Sequence, residues 1–217
     1  MIERASKRRG GRPPRAEAPQ ITEKILAAAM DLFLTHGFGA TSVEAVAARV
    51  HISKRTFYHR FRDKPALFRA VVERLLQRWL PQFDAEFQEP APVEAVLARS
   101  ARRMLAVALQ PDALALRRLL LTEAERFPEL VEIAIAQGAA KGIERIAALL
   151  AQATRDGALH VADPVFAATQ FQEMVLGVPL RRAMGFGTPL GEAELERWAE
   201  HSVALFLHGC GARRGPP

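Results

Sequence analysis

The sequence predicts an all-α protein, with a small N-terminal bundle of three helices followed by a larger helical body. Three observations carry that expectation. Helix formers (Ala, Leu, Arg and Glu) dominate the 217 residues. Apolar residues recur at spacings of three and four, and no run sustains the period-two alternation of a half-buried strand. Pro90, Pro92, Gly157, Gly185 and Gly187 fall in the gaps between the amphipathic stretches.

Taken in chain order, Ile25, Ala28, Ala29, Leu32 and Phe33 line one face of a first helix. His36-Gly37 should end it, with Gly37 as C-terminal cap. Thr41 and Glu44 stand at capping-box spacing and open a second helix, from which Val43, Val46 and Ala47 turn inward. Ser53 is the N-cap candidate for a very short third helix, Lys54 to Arg60. Asp63 caps a fourth, with Pro65 in its first turn, where a missing N–H costs little. That helix runs through Leu67, Val71, Leu75 and Leu76 to Trp79, and Pro81 should kink or end it. Beyond Pro92, helices are expected over about 93–109, 112–125, 128–155, 163–184 and 191–208, with Pro128 as a first-turn residue.

Composition bounds the function. With 49% hydrophobic residues the chain can bury a sizeable core. Its longest apolar run falls far short of the ~20 residues that span a bilayer. The N-terminus is basic and polar, unlike a secretory leader, so a cytoplasmic protein without membrane contact is expected. The single cysteine, Cys210, allows neither an intrachain disulfide nor a cysteine metal cluster. Positive charge is concentrated at one end. Residues 1–15 hold six basic side chains against Glu3, residues 16–70 eight against five acids, and residues 71–217 sixteen against eighteen. A basic end joined to a nearly neutral body is the electrostatic footprint of polyanion binding.

Residues 41–61 concentrate that signal: a helix of about two turns, a short turn, then a helix start dense in Lys, Arg and Thr. Phe57 and Phe61, four apart, should pack inward. Lys54, Arg55 and His59 are left to face a major groove, with Ser53, Thr56 and Tyr58 offering hydroxyls to phosphate oxygens and Arg60 and Lys64 adding charge at the rim. With Thr41 and Ser42 at the start of the second helix, these are the expected DNA-binding residues.

The stretch Ser53-Lys54-Arg55-Thr56-Phe57-Tyr58-His59-Arg60-Phe61, continuing through Lys64 to Leu67 and Phe68, resembles the TetR-family pattern S-x-x-T-x-Y-x-x-F-x-x-K-x-x-L. Ile25 to Ala29, Leu32-Phe33, Gly37-Phe38 and Thr41 to Ala47 match it upstream, so the likeness covers about residues 21–72. The resemblance implies an Ω-shaped homodimer of all-helical subunits. The first three helices would bind double-stranded operator DNA; the C-terminal helices would dimerise and enclose a small-molecule pocket. One departure falls in the turn, where Val50-His51-Ile52-Ser53 replaces the usual Ala-Gly-Val-Ser. A left-handed His there costs roughly 1 kcal/mol more than Gly. Arg60 stands where many members have an aromatic residue or His, so base preference does not transfer. The segment Arg117 to Leu130 resembles, more weakly, the second domain of a large TetR subgroup, some of whose members regulate drug-efflux operons.

The expected organisation is a basic disordered arm (1–18), a helix-turn-helix domain (19–65), a helical ligand-binding and dimerisation domain (66–209) and a disordered tail (210–217). Lys7 to Arg15 resembles an AT-hook core, which reads an A·T minor groove, or serves as nonspecific phosphate attraction. Val165, Phe166, Ala168, Thr169, Gln172 and Val175 on one helix, and Leu195, Trp198, Ala199, Ser202, Val203, Leu205 and Phe206 on another, form the expected dimer surface. Trp79, Phe83, Phe87, Met104, Phe171 and Met174, with Arg117, Arg118 and Glu123 as polar anchors, are pocket candidates for a small apolar or amphipathic effector, although Met and Phe at helical spacing serve a core equally. No nucleophile elbow, phosphate loop or His/Cys cluster points to an enzyme, and His201 and His208 read as surface residues, so no metal or cofactor is expected. The remaining alternative is a nonspecific architectural DNA-binding protein without a ligand.

Overall fold

The computed structural model describes residues 18–87 and 91–210, with the side chains of 18, 78–85, 137, 139 and 210 outside that description. Among the described residues ten α-helices follow in order: α1 (Ala18–Ala40), α2 (Val43–Arg49), α3 (Lys54–Tyr58), α4 (Lys64–Ala85), α5 (Val93–Ala108), α6 (Pro111–Glu123), α7 (Pro128–Ala134), α8 (Ala140–Arg155), α9 (Pro164–Ala183) and α10 (Glu192–Cys210). A π-helical turn, Ile135–Ala139, joins α7 to α8. The expected all-α architecture is what the chain adopts.

The N-terminal core is aromatic. Phe33, Phe38, Phe57 and Phe68 are fully buried with Ile25, Leu67 and Val46. Burying each such side chain contributes roughly 1.5–3 kcal/mol. The first three helices do not close this core alone. Leu119 of α6 and Leu130 and Ile133 of α7 pack into it, and α1 lies against both α4 and α6. The N-terminal helices and the helical body are therefore joined through a shared apolar cluster.

A second core fills the bundle of α5, α8, α9 and α10, where Leu97, Ile146, Leu150, Phe171, Val175 and Val203 are buried. The Phe171 and Phe206 rings meet edge-on, their centroids 5.0 Å apart. That pairing sets the N-terminal half of α9 beside the C-terminal half of α10. Pro179 sits inside α9 and is buried. A helical proline removes the N–H that would bond the carbonyl four residues back. The carbonyl in question, that of Val175, accepts instead from the Trp198 indole N–H of α10 at 2.9 Å.

Several local expectations need correction. α4 continues past Pro81 to Ala85. The third helix ends at Tyr58, with His59 as its C-cap, two residues short of Arg60. The cap of α2 is Ser42, whose Oγ accepts from the Ala45 N–H at 3.0 Å, and the Thr41–Glu44 capping box does not form. α1 breaks at Gly37, as expected, with φ +83°. The basic arm and the tail beyond Cys210 lie outside the described residues.

Candidate functional site

The short helix α3 is aimed by Phe57 within it and by Phe61 just beyond its end. Phe57 is fully buried and Phe61 nearly so, with ring centroids 5.6 Å apart. Once that face is pinned, Lys54, Arg55, Tyr58 and His59 emerge together on the outside. The Tyr58 ring stands edge-on to Phe57 at 5.5 Å, so its exposed hydroxyl is presented on a supported ring. Ser53 caps the helix start: its Oγ accepts from the Thr56 N–H at 3.1 Å and lies 2.9 Å from the Thr56 hydroxyl. The turn before it carries His51 at φ +55°, the left-handed residue that glycine would otherwise supply.

Charge on this face is partly compensated. The Lys54 Nζ lies 2.6 Å from Glu44 Oε1 across the α2–α3 turn. The hydrogen bond and charge of Lys54 lower the Glu44 pKa, and Glu44 raises that of Lys54. Arg55, Tyr58 and His59 carry no such acid partner among the described residues. Arg60 folds back, donating to the Thr56 carbonyl at 3.2 Å, and stays half-buried.

Two residues expected on the DNA face point elsewhere. Thr41 is 3% exposed, and its hydroxyl lies within hydrogen-bond reach of the Gly37 carbonyl at 2.8 Å and the Leu32 carbonyl at 3.1 Å. It answers carbonyls left open where α1 breaks. Lys64 turns inward as well. Its ammonium donates to the carbonyls of Phe38 at 2.8 Å, Thr41 at 2.9 Å and Gly39 at 3.3 Å, and sits 4.4 Å from the Phe38 ring centroid. A lysine has three donors, and all three are engaged. Burial lowers the Lys64 pKa, against the charge of Glu123, which raises it. Both residues hold the α1–α2 connection in place.

The helical body contains a cavity of about 530 Å³ between α4, α5, α6, α7, the π turn, α8 and α9. Its walls are largely aliphatic: Leu76, Val107, Leu116, Leu120, Val131 and Leu176, with Met104. Its described polar lining residues are Arg103, Arg117 and Gln172. Leu121 and Ile135 at its edge are large apolar side chains, 68% and 54% exposed. The π turn opens onto it at Ile135 and Gly138, and such wide turns recur at functional sites.

Of the residues expected in a pocket, Met104 and Arg117 line this one. Phe171 does not; it is fully buried in the second core, where Phe206 needs it. Phe87 and Met174 pack against that core. Arg118 and Glu123 border a different cleft, about 540 Å³, between α1 and α6, where Arg118 donates to the Ala183 carbonyl. Trp79 and Phe83 have side chains outside the described residues. Gln172, expected at a dimer surface, borders the cavity, and Ala168 and Val175 are core. Arg103, Leu76 and Gly138 went unforeseen, because they come from three separate elements that only the tertiary fold assembles.

One helix spans both regions. α6 lines the cavity with Leu116, Arg117 and Leu120, and on its other side Glu123 Oε1 accepts from the Gly39 N–H at 3.0 Å. Gly37 gives Glu123 room: a Cβ there would stand 2.7 Å from Oε1. Phe127, just beyond α6, packs edge-on to Phe38 at 4.9 Å.

Residues 25–71 match the family described as "Bacterial regulatory proteins, tetR family". Residues 95–211 match "AefR-like transcriptional repressor, C-terminal domain". Over 72 residues the chain is 36% identical to the HTH-type transcriptional regulator RutR of Escherichia coli, covering 33% of this chain and 34% of that one. The alignment thus spans about a third of the curated relative's length. Solved structures extend the likeness to nearly the whole chain. A chain described as a TetR-family transcriptional regulator from Mesorhizobium loti is 31% identical, with 90% of this chain and 98% of that one covered and a TM-score of 0.77. The flavonoid-responsive regulator FrrA is 30% identical, covers 90% and 99% respectively, and has a TM-score of 0.74.

Proposed function

Because the chain belongs to the TetR family of bacterial DNA-binding transcriptional regulators, we propose that it is a homodimeric repressor that releases its operator when a small apolar or amphipathic molecule fills the cavity. The observation that carries this reading is the double duty of α6, which walls the cavity and grips Gly39 through Glu123. A ligand that favours one position of α6 biases the orientation of α3, to the extent of its differential affinity for the two positions. The similarity to a flavonoid-responsive regulator supports responsiveness to a small molecule.

On this reading Lys54, Arg55 and His59 meet base edges, and Ser42, Ser53, Thr56 and Tyr58 meet phosphates. Two copies are needed to place two α3 helices one turn of DNA apart, ~34 Å. Val165 and Phe166 of α9 and Leu205 of α10, each more than 60% exposed, mark the face that a second subunit would cover. An architectural DNA-binding protein has no use for a cavity of this kind. Among the described residues no helix is long and apolar enough to cross a membrane.

Selection of an operator from random duplexes, followed by a screen of hydrophobic compounds for effects on melting temperature and operator affinity, tests the proposal. Compounds that raise the first and lower the second are expected. Compounds that bind the helical body yet leave operator affinity unchanged would refute the coupling.

A further inference from the structure

The chemistry of the cavity narrows what fills it. Its described lining contains no aspartate or glutamate. Each of its three polar side chains, Arg103, Arg117 and Gln172, offers N–H donors, and two are cations. Arg103 is ion-paired with Glu86, which Arg99 shares, at 3.4 and 3.3 Å. Arg117 is different. It stands exposed at the rim and makes no ion pair or hydrogen bond among the described residues. One turn further along α6 comes Leu121, 68% exposed, with Ile135 across the opening. An exposed guanidinium thus sits at the mouth of an aliphatic chamber, with the exposed apolar side chains of Leu121 and Ile135 also in its lining.

We infer that the effector is an apolar acid, a carboxylate on an aromatic or aliphatic skeleton, whose body fills the cavity and whose head is held by Arg117. This rests on the reading that the cavity is the effector site. The fork of a guanidinium matches a carboxylate with two parallel N–H···O bonds, and such charge-assisted pairs are about twice as strong as neutral ones. An ammonium at the same place would meet two arginines and no described acid in the lining. A neutral alcohol would gain the apolar contacts alone. The body of the acid would cover Leu121 and Ile135, removing their exposed surface from water.

The test uses the full chain and naphthyl, biphenyl and decyl skeletons, each as carboxylate, alcohol and primary amine, with calorimetric affinities and melting temperatures. For at least one skeleton the acid should bind about tenfold more tightly than its alcohol, with the amine weakest. In Arg117→Gln the acid-to-alcohol ratio should collapse towards one, and in Arg117→Glu the order of acid and amine should invert. Both substitutions fall on an exposed side chain, so the melting temperature of the free protein checks that the fold is kept. An alcohol or amine that binds the wild type as tightly as the acid would overturn the inference and leave the effector site standing. An acid preference that survives both substitutions would overturn the role of Arg117. No binding by any compound would overturn the inference together with the reading beneath it.

Discussion

Glu123 reaches across from the end of α6 to accept the N–H of Gly39, 84 residues earlier in the chain, at 3.0 Å. Glu123 is 8% exposed, so the bond is made largely away from water. Glu123→Gln keeps an acceptor at the amide and should stay close to the wild type in stability. Glu123→Leu leaves the Gly39 N–H unanswered, at about 1–3 kcal/mol. The same variant should also blunt the effect of a bound ligand on operator affinity, because α6 loses its polar hold on the α1 turn. Thermal melts and operator titrations with and without ligand separate the two effects.

Lys64 and Lys54 carry the same charge ten residues apart and should behave in opposite ways. Lys54→Gln should weaken DNA binding and flatten the slope of log affinity against log salt, because it removes a cation from the DNA face. Lys64→Gln should leave that slope unchanged and lower stability by about 2 kcal/mol or more, since three carbonyls lose a charged donor. Salt titrations of both variants, beside their melting curves, make the comparison.

Glu44 is an acid beside a surface meant for a polyanion, and it holds Lys54 at 2.6 Å. Glu44→Gln should tighten operator binding by freeing Lys54 and removing a repulsive charge. Its pKa is lowered in the fold, first by the Lys54 hydrogen bond. The stabilisation of the pair is therefore present above the unfolded value, ~4.3, and lost as pH falls through the folded one. Between about pH 5 and 8 Glu44 stays charged, and this pair adds no pH dependence to DNA affinity. Titrations of wild type and variant across that range check both statements.

Trp198 compensates for Pro179. Trp198→Phe keeps an aromatic ring, though a smaller one, and removes the indole N–H, leaving the Val175 carbonyl unanswered at about 1–3 kcal/mol. Pro179→Ala restores a backbone N–H at the position from which a helix normally answers that carbonyl. In the double variant the loss from Trp198→Phe should therefore be smaller than in the single one, and a double-mutant cycle by denaturant unfolding measures the difference.

The parts of the fold that sequence made legible are those with local causes. Phe57 and Phe61 repeat at four, and although α3 ends at Tyr58 the Phe61 N–H still bonds the Phe57 carbonyl at 3.0 Å, so the outward face of α3 follows from local geometry. His51 stands where the family has glycine, and it takes the left-handed conformation that the position demands. Thr41 and Ser42 are adjacent and both able to cap α2. Ser42 does so because carbonyls freed at the break in α1 occupy the hydroxyl of Thr41. That competition is invisible until α1 and α2 are placed together. Lys64 reads as one more charge in a basic run, and only the fold shows it reaching carbonyls 23–26 residues upstream. The cavity was hardest to read. Large aromatic residues are natural candidates for a pocket wall, but Phe171 is spent on the core. The wall comes instead from aliphatic residues on five helices and the π turn, whose spacing in sequence carries no shared period.

The proposed regulator stands or falls on whether the exposed face of α3 holds operator DNA. The direct measurement is an equilibrium titration of a selected operator with the wild type and with Lys54→Ala/Arg55→Ala/Tyr58→Ala, at one fixed salt concentration and with melting temperatures to confirm folding. The three side chains are exposed, so the variant should melt close to the wild type. Its affinity should fall by about 100-fold or more, towards nonspecific binding. A folded variant that binds the operator as tightly as the wild type would contradict DNA binding through α3.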